Sequence, residues 1–216
     1  MILASFPIYN VPDVTERAIE SLGDVDTFFV VNSPELKQLV EHKNYVVNGV
    51  NNYCNGAWNQ AMAYFLQGDW DYLALGSSDV IMGNNWFNLI PDKSHKWICV
   101  PTYADSLERL GNQRGEFKEL KGGVAGAFTV LPREAVEIIY PIPRGMKLWF
   151  GDEYMYSKLR SLGWKVMQAE FTAYHYGSLS IPANLESGNI IEGDKIAWQK
   201  YCTSHSQSPA QSNSDR

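Results

Sequence analysis

The chain has 216 residues, 45% of them apolar and 13% aromatic, which is enough to bury the core of one globular domain. A formal net charge of −6 leaves no excess of Lys and Arg to neutralise a phosphate backbone, so we expect no nucleic-acid partner. The amino terminus lacks the basic segment of a signal peptide, and no apolar run approaches the roughly 18 residues of a membrane span. We therefore expect a cytoplasmic protein with no transmembrane segment.

Strand and helix signals alternate along the chain. In chain order they predict a strand at Ile2–Phe6, a helix from Pro12 to Gly23, a strand at Thr27–Val31, a helix from Ser33 to about His42, a helix at Gly56–Leu66 and a strand at Tyr72–Leu75. Further strands are predicted at Trp97–Val100, Val124–Val130 and Lys165–Met167, with helices at Arg133–Tyr140, Asp152–Ser161 and about Asp194–Tyr201. Asp13 and Glu16 form a predicted capping box for the first helix.

This alternation predicts an α/β fold with a mostly parallel central sheet, in a single domain over residues 1–202. Residues 203–216 are polar with almost nothing to bury, and we expect them to be a disordered tail. The three cysteines, which include Cys54, form no C-x-x-C pair and are predicted to be buried reduced thiols.

A cluster of polar residues follows the predicted strands. In open α/β sheets, ligands bind beyond the carboxyl ends of the strands. The residues at those ends are Pro7, Tyr9, Asn32, Ser77, Ser78 and Asp79. The sequence contains neither G-x-x-x-x-G-K-[ST] nor G-x-G-x-x-G, so phosphate would have to be held without such a loop. A divalent cation anchored by Asp79 is one physical solution, because a carboxylate and waters leave coordination positions open for a diphosphate.

Four segments resemble one known family. They are Asn52-Tyr-Cys-Asn-Gly-Ala-Trp-Asn59, Asp71-Tyr-Leu-Ala-Leu-Gly-Ser-Ser-Asp79, Gly122-Gly-Val-Ala-Gly-Ala-Phe-Thr-Val-Leu-Pro-Arg133, and Trp149-Phe-Gly-Asp-Glu-Tyr154 with the later Gly163-Trp-Lys-Val166. In their order and spacing they resemble GT-A fold glycosyltransferases, particularly family 2, over about residues 1–180. The resemblance implies a three-layer, Rossmann-like GT-A domain and a metal-dependent, inverting transfer of sugar from a nucleotide donor to an acceptor hydroxyl.

The resemblance also implies the donor site. Asp79 matches the last acid of the D-x-D signature that holds Mn²⁺ or Mg²⁺ against the donor diphosphate, and His175 is similar to a third metal ligand. Because imidazole suits Mn²⁺ better than Mg²⁺, we expect manganese. Ser77 stands where the family has the first acid, which suggests a contact to ribose or water instead. The remaining donor residues implied are Pro7, Tyr9 and Asn32 around a base expected to be uracil, together with Asn52, Asn59 and Ser78.

The acceptor side is implied by the fourth segment. Asp152 or Glu153, at the start of a predicted helix, is the expected general base, and a positioned base typically contributes roughly 10²–10⁴ in rate. Trp149 and Phe150 are expected to stack on a sugar, and Gly123 lies in a loop whose backbone could approach it.

Each assignment has a structural alternative. Asp79 could cap a turn, His175 could be a packed histidine bonded to a carbonyl, and Asp152 and Glu153 could complement the helix dipole. Tyr9, Trp149 and Phe150 could be part of the core, whereas Asn52 and Asn59 could satisfy buried backbone groups. Cys54 stands where the family usually has glycine, and we interpret it as a packing residue.

Two other functions are compatible with the sequence. A sugar-nucleotide pyrophosphorylase would share a layered fold, but the glycine-rich basic loop of such enzymes is missing from Ala4-Ser-Phe-Pro-Ile-Tyr-Asn10. A non-catalytic sugar- or nucleotide-sugar-binding module with a decayed D-x-D signature is the stronger alternative, because Ser77 is the position that would decay. The sequence leaves the donor sugar, the acceptor and the oligomeric state open.

Overall fold

The core of the computed structural model is a ten-stranded sheet with helices on both faces. The structure describes residues 1–92, 95–110, 114–122, 126–177 and 186–205. The strands are β1 (Ile2–Ser5), β2 (Pro7–Ile8), β3 (Asp26–Val31), β4 (Asn44–Val47), β5 (Tyr72–Gly76), β6 (Val80–Met82), β7 (Trp97–Tyr103), β8 (Lys118–Glu119), β9 (Phe128–Pro132) and β10 (Lys165–His175). The α-helices are α1 (Pro12–Ser21), α2 (Tyr53–Phe65), α3 (Arg133–Ile139), α4 (Gly151–Ser161) and α5 (Glu186–His205).

The sheet is parallel in its amino-terminal half and mixed in the other. Its strand order is β2-β3-β1-β5-β9-β7-β10-β6, with β4 beside β3 and β8 beside β10. The pairs among β1 to β5 are all parallel, as is the pair β7–β10. Strand β9 is antiparallel to both β5 and β7, and β6 and β8 are antiparallel to β10. The predicted α/β class with a mostly parallel central sheet is confirmed.

Successive side chains of the buried strands face two different cores, one on each face of the sheet. On β1, Leu3 faces the core that contains α2, α3 and α4, whereas Ala4 faces the core that contains α1. On β5, Leu73 and Leu75 face the first core and Ala74 the second. Because both faces are covered, these strands are apolar almost throughout, as expected for parallel strands between helical layers. The arrangement is therefore three-layered.

Several local predictions are wrong, for identifiable reasons. Helix α1 begins at Pro12 with Val11 as its N-cap and no side-chain capping bond, so Asp13 lies inside the first turn and the capping box is absent. Proline is favoured at the first helical position, which explains the shift. The segment after Ser33 forms a 3₁₀-helix at Pro34–Val40, not an α-helix. Cys99 is buried as predicted, but Cys54 is half-buried and Cys202 is exposed on α5.

The carboxyl-terminal elements extend further than predicted. Strand β10 continues to His175, and an irregularity between Gln168 and Thr172 separates its pairing with β7 into two parts. Helix α5 runs to His205, three residues into the predicted tail, and residues 206–216 lie outside the described part of the chain. Within the described residues, none of the helices is both long and apolar enough to span a bilayer.

Candidate active site

Asp79 lies at the carboxyl end of β5, in the short connection to β6. Its side chain is fully buried. The Ser77 hydroxyl donates to Asp79 Oδ1 at 2.5 Å, and His175 Nε2 lies 3.5 Å from the same oxygen. The structure thus brings three of the predicted site residues together, with His175 as the member of the Asp79–His175 pair that solvent reaches.

The sheet register explains how His175 reaches Asp79. Strand β6 pairs antiparallel with the end of β10, and His175 lies opposite Val80, the residue after Asp79. The Tyr176 N–H donates to the Asp79 carbonyl at 3.1 Å, and the Ser77 N–H donates to the Ala127 carbonyl at 2.9 Å. The connection is therefore bonded to β9 on one side and β10 on the other. Ser78, between the two site residues, is buried.

The donor set at Asp79 is suited to a cation that arrives together with a ligand. Among the described residues, no three His, Cys, Asp or Glu side chains come together as a metal site. Asp79 and His175 alone supply one carboxylate oxygen donor and one imidazole nitrogen. Divalent cations in nucleotide sites are commonly held by one or two protein ligands, with waters and substrate phosphates completing the shell. The pair fits such a cation, and it does not form a closed protein cage.

Asp152 lies in the first turn of α4 and is held by backbone amides. The Gly126 N–H donates to Asp152 Oδ2 at 2.9 Å, and the Glu153 N–H lies 3.0 Å from Oδ1. A Cβ added at Gly126 would lie 2.2 Å from the Asp152 Cβ, so only glycine allows this close approach. Gly123, predicted to approach a sugar, lies outside the described residues.

The two carboxylates act on the same neighbouring groups. Burial raises the pKa of the Cys54 thiol well above its ordinary value, and the negative charges of Asp152 and Asp79 raise it further. Burial likewise raises the pKa of Tyr103, whose hydroxyl oxygen is inaccessible to solvent, and the same two carboxylates add to the effect. The charges of Asp79 and Asp152 therefore both reach Cys54 and Tyr103.

Glu153 differs from its neighbour in exposure and in protonation. Its side chain is exposed, yet partial burial of the carboxyl and the adjacent Asp152 raise the pKa of Glu153 to about 8. Glu153 is therefore largely protonated at neutral pH. Tyr156, one turn along α4, is buried, and its hydroxyl lies 2.6 Å from Thr129 Oγ1. Burial, followed by the charge of Asp152, raises the pKa of Tyr156.

The predicted aromatic residues precede α4. Phe150 is its N-cap and has a left-handed backbone with φ 61°, an uncommon conformation for a residue with a bulky side chain. Its ring stacks on Trp198 of α5, with centroids 6.1 Å apart and the planes 9° from parallel. Trp149 is half-buried. For Phe150 the structure thus provides a packing contact within the protein.

The residues predicted around the nucleobase lie near the ends of β2 and β3. Pro7 pairs with β3, and Tyr9 is half-buried, its carbonyl accepting a hydrogen bond from the Ser33 hydroxyl. Asn32 is buried, and its Oδ1 accepts from Asn48 Nδ2 at 2.7 Å. Asn32 Nδ2 in turn donates to the Tyr53 carbonyl at 3.3 Å. The Asn32 amide thus holds the segment that leads into α2.

Asn52 and Asn59 lie on the opposite side of α2 from its contact with β5. They line a pocket of about 420 Å³ together with Gly56, Arg144, Met146 and Lys147. Both ends of the Asn59 amide bond the backbone of Ile142, donating to its carbonyl at 2.9 Å and accepting from its N–H at 2.7 Å. Asn59 therefore has a structural role that accounts for its side chain.

Sequence reasoning missed two buried polar residues, Asn55 and Asp194. Both bond the backbone that leads into α4. Asn55 lies inside the Asn52–Asn59 segment, but nothing in the sequence indicates that its side chain bonds the backbone before α4. Asp194 lies within the predicted last helix, where a lone acid has the appearance of a solvated residue.

Comparisons with known proteins complete the description of the fold. No protein-family model matches the chain, and no curated protein matches its sequence. Among solved structures, the inositol-1-phosphate CTP transferase from T. maritima is similar with a TM-score of 0.54 and 10% identity, over 90% of this chain and 96% of that one. The UDP-glucose pyrophosphorylase from Acinetobacter baumanii is similar with a TM-score of 0.53 and 14% identity, over 96% and 95%. At this identity the likeness establishes the fold alone, a layered α/β fold of the Rossmann-like kind.

Proposed function

We propose that the protein transfers a sugar from a nucleotide donor, a UDP-sugar, to an acceptor hydroxyl with the help of a divalent cation. The observation that carries the proposal is that two carboxylates, held in different ways, act on the same two neighbouring groups. Asp79 lies at a strand end beside an imidazole, and Asp152 lies at a helix start on backbone amides. Both charges act on Cys54 and Tyr103.

On the donor side, Asp79 and His175 would hold Mn²⁺ or Mg²⁺. When bound, the cation supplies positive charge that stabilises a departing diphosphate, a contribution of several kcal/mol in metal-assisted reactions. The Ser77 hydroxyl orients the Asp79 carboxylate through its 2.5 Å hydrogen bond. Pro7, Tyr9 and Asn32 border the expected base pocket, and Asn32 shapes it through the segment that it holds.

On the acceptor side, Asp152 is the better candidate for the general base. Two backbone N–H groups fix the position of its carboxylate, and its charge reaches the same Cys54 and Tyr103 groups as that of Asp79. Glu153 is largely protonated at neutral pH, which opposes its use as a base there. In the proposed reaction, Asp152 accepts the proton of the acceptor hydroxyl. The acceptor oxygen forms the new bond to the anomeric carbon, and the bond to the nucleoside diphosphate breaks with its electrons leaving on phosphate. This single displacement inverts the anomeric centre.

A nucleotidyl transferase is the second candidate, favoured by the likeness in fold to a CTP transferase and a UDP-glucose pyrophosphorylase. Against it stands the connection between β1 and α1. Residues 6–11, FPIYNV, contain no Gly, Lys or Arg to receive a triphosphate. The third candidate is a nucleotide-sugar-binding module that catalyses no reaction. It is favoured by Ser77, which supplies no charge where a second metal-binding acid would stand.

One assay separates the three functions. The protein is incubated with a panel of nucleotide sugars and Mn²⁺, and free UDP is measured with and without excess chelator. The same protein is incubated with UTP and a sugar 1-phosphate, and release of pyrophosphate is measured. We expect cation-dependent release of UDP and no release of pyrophosphate. Pyrophosphate release would establish the nucleotidyl transferase, and a rise in Tm on addition of a nucleotide sugar, without any turnover, would establish the module.

A further inference from the structure

Residues 146–150 form the loop that leads into α4. A buried carboxylate from α5 holds this loop. Asp194 is 1% exposed, and its two oxygens accept hydrogen bonds from three consecutive backbone N–H groups. The donors are Lys147 at 2.9 Å, Leu148 at 2.8 Å and Trp149 at 2.7 Å. A buried charge is tolerated only when its hydrogen-bonding capacity is met, and here the partners are all on this loop.

The same loop is also held by a buried amide from α2. Asn55 is 1% exposed, and its Nδ2 donates to the carbonyls of Met146 and Trp149, each at 3.1 Å. The Asn55 backbone N–H also donates to the Lys147 carbonyl at 3.0 Å. Both the donors and the acceptors of the loop backbone are therefore fixed by two residues from different helices.

The position of the loop determines where α4 begins. The loop ends at Phe150, which has the left-handed conformation, and Asp152 follows two residues later. A Cβ added at Gly151 would lie 2.0 Å from Asn55 Oδ1, so α2 and α4 meet at contact distance at this point. An uncommon backbone conformation persists only where its surroundings enforce it. Asn55 and Asp194 supply that enforcement through hydrogen bonds from α2 and α5.

We propose that Asp194 and Asn55 are positioning residues of the reaction, which set the Asp152 carboxylate at a fixed place relative to Asp79. The proposal rests on the proposed function. It makes α5, which lies outside the segments that resemble family 2 glycosyltransferases, part of the catalytic apparatus. Positional errors of about 1 Å at a reacting group can cost 10²-fold in rate, so release of the loop is expected to act on the chemical step.

The test compares Asp194→Asn with the wild type in donor turnover. Asparagine has the same shape but places an N–H₂ group against backbone N–H donors. We expect kcat to fall by about 10²-fold while the KM for the donor stays within about twofold, because the donor side at Asp79 is untouched. Glu192→Gln, on the same helix but exposed, is the matched control and should leave both constants unchanged. Ile139→Val, at a buried position of α3 itself, reports the effect of lost stability alone.

A second variant and a second measurement test the same positioning role independently. Asn55→Ala removes the side-chain hydrogen bonds from α2 to the loop, and it should also lower kcat with little change in KM. Hydrogen exchange of the Lys147, Leu148 and Trp149 amides should accelerate in Asp194→Asn, while the amides of β5 keep their protection. Unchanged kcat in an Asp194→Asn protein with faster loop exchange would overturn the inference, as would a loss no larger than that of Ile139→Val. Absence of turnover in the wild type would instead refute the proposed function.

Discussion

The two carboxylates of the candidate site are held in different ways. Asp79 is contacted by side chains, the Ser77 hydroxyl at 2.5 Å and the His175 imidazole at 3.5 Å. Asp152 is contacted by the backbone N–H groups of Gly126 and Glu153. Side chains can change rotamer when a ligand arrives, whereas a backbone amide cannot move without moving the chain that carries it.

This difference suits the two proposed roles. A cation that binds with its substrate needs a carboxylate whose partners can give way and take new positions, which describes Asp79. A general base needs a fixed place relative to the proton that it accepts, which describes Asp152. The buried clamp of Asn55 and Asp194 extends the same contrast, because it fixes backbone on the acceptor side.

The largest effect is expected at Asp79. Asp79→Asn keeps the shape of the side chain but removes its charge, so cation-dependent UDP release should fall by about 10³-fold or more, since several kcal/mol of electrostatic stabilisation are lost at about 1.36 kcal/mol per tenfold. Asp71→Asn, just before the opposite end of β5, is the matched control and should retain full turnover. Turnover is measured by UDP release at several Mn²⁺ concentrations. Equal rates for the two variants would remove the metal role from Asp79.

The second-largest effect is expected at Asp152, and it tests whether Asp152 or Glu153 is the general base. Asp152→Asn should lower kcat by roughly 10²–10⁴-fold with little change in donor KM, because proton transfer and not donor binding is lost. Glu153→Gln should lower kcat by less than about tenfold, since Glu153 is already largely protonated at neutral pH. Steady-state kinetics at pH 7 measure both. A reversed order would assign the base to Glu153, and two small effects would exclude both residues.

The surroundings of Asp79 are easier to predict from the sequence than the loop that leads into α4. The strand before Asp79 was predictable because an apolar run followed by small polar residues and an acid is typical of a strand end in a layered α/β fold. The approach of His175 depended on the resemblance, since the extension of β10 beyond Met167 has no strong strand signal. Strands β2 and β8 have two residues each, too few to show alternation. The Asp194 clamp was not predictable, because its partners are backbone amides, which leave no trace in residue types.

The third effect is smaller and acts on cation affinity. Ser77→Asp restores the first acid of a D-x-D signature beside the buried Asp79. Without a cation, the two like charges repel and should lower Tm; with Mn²⁺, about tenfold tighter binding would add about 1.4 kcal/mol to stability. For a chain of this size that corresponds to roughly 3–5 °C of additional Mn²⁺-induced shift. Ser77→Asn is the neutral control. If Mn²⁺ shifts the Tm of Ser77→Asp no more than that of Ser77→Asn, the cation does not bind beside residue 77.

The smallest effect is a change in how stability depends on pH. The pKa of Glu153 is raised from 4.5 to about 8 in the folded protein, so the folded state retains a proton that the unfolded chain releases. Its contribution to stability is present in full below about pH 4.5 and is lost as the pH rises to about 8. Glu153→Gln cannot lose it, so the Tm of the variant relative to the wild type should increase from pH 5 to pH 9. Because the Glu153 side chain is exposed, we expect a small increase, and the exposed Glu137 of α3, changed to Gln, is the control. Parallel Tm curves for wild type and Glu153→Gln would mean that Glu153 is ionised at neutral pH, and the preference for Asp152 as the base would then rest on its position alone.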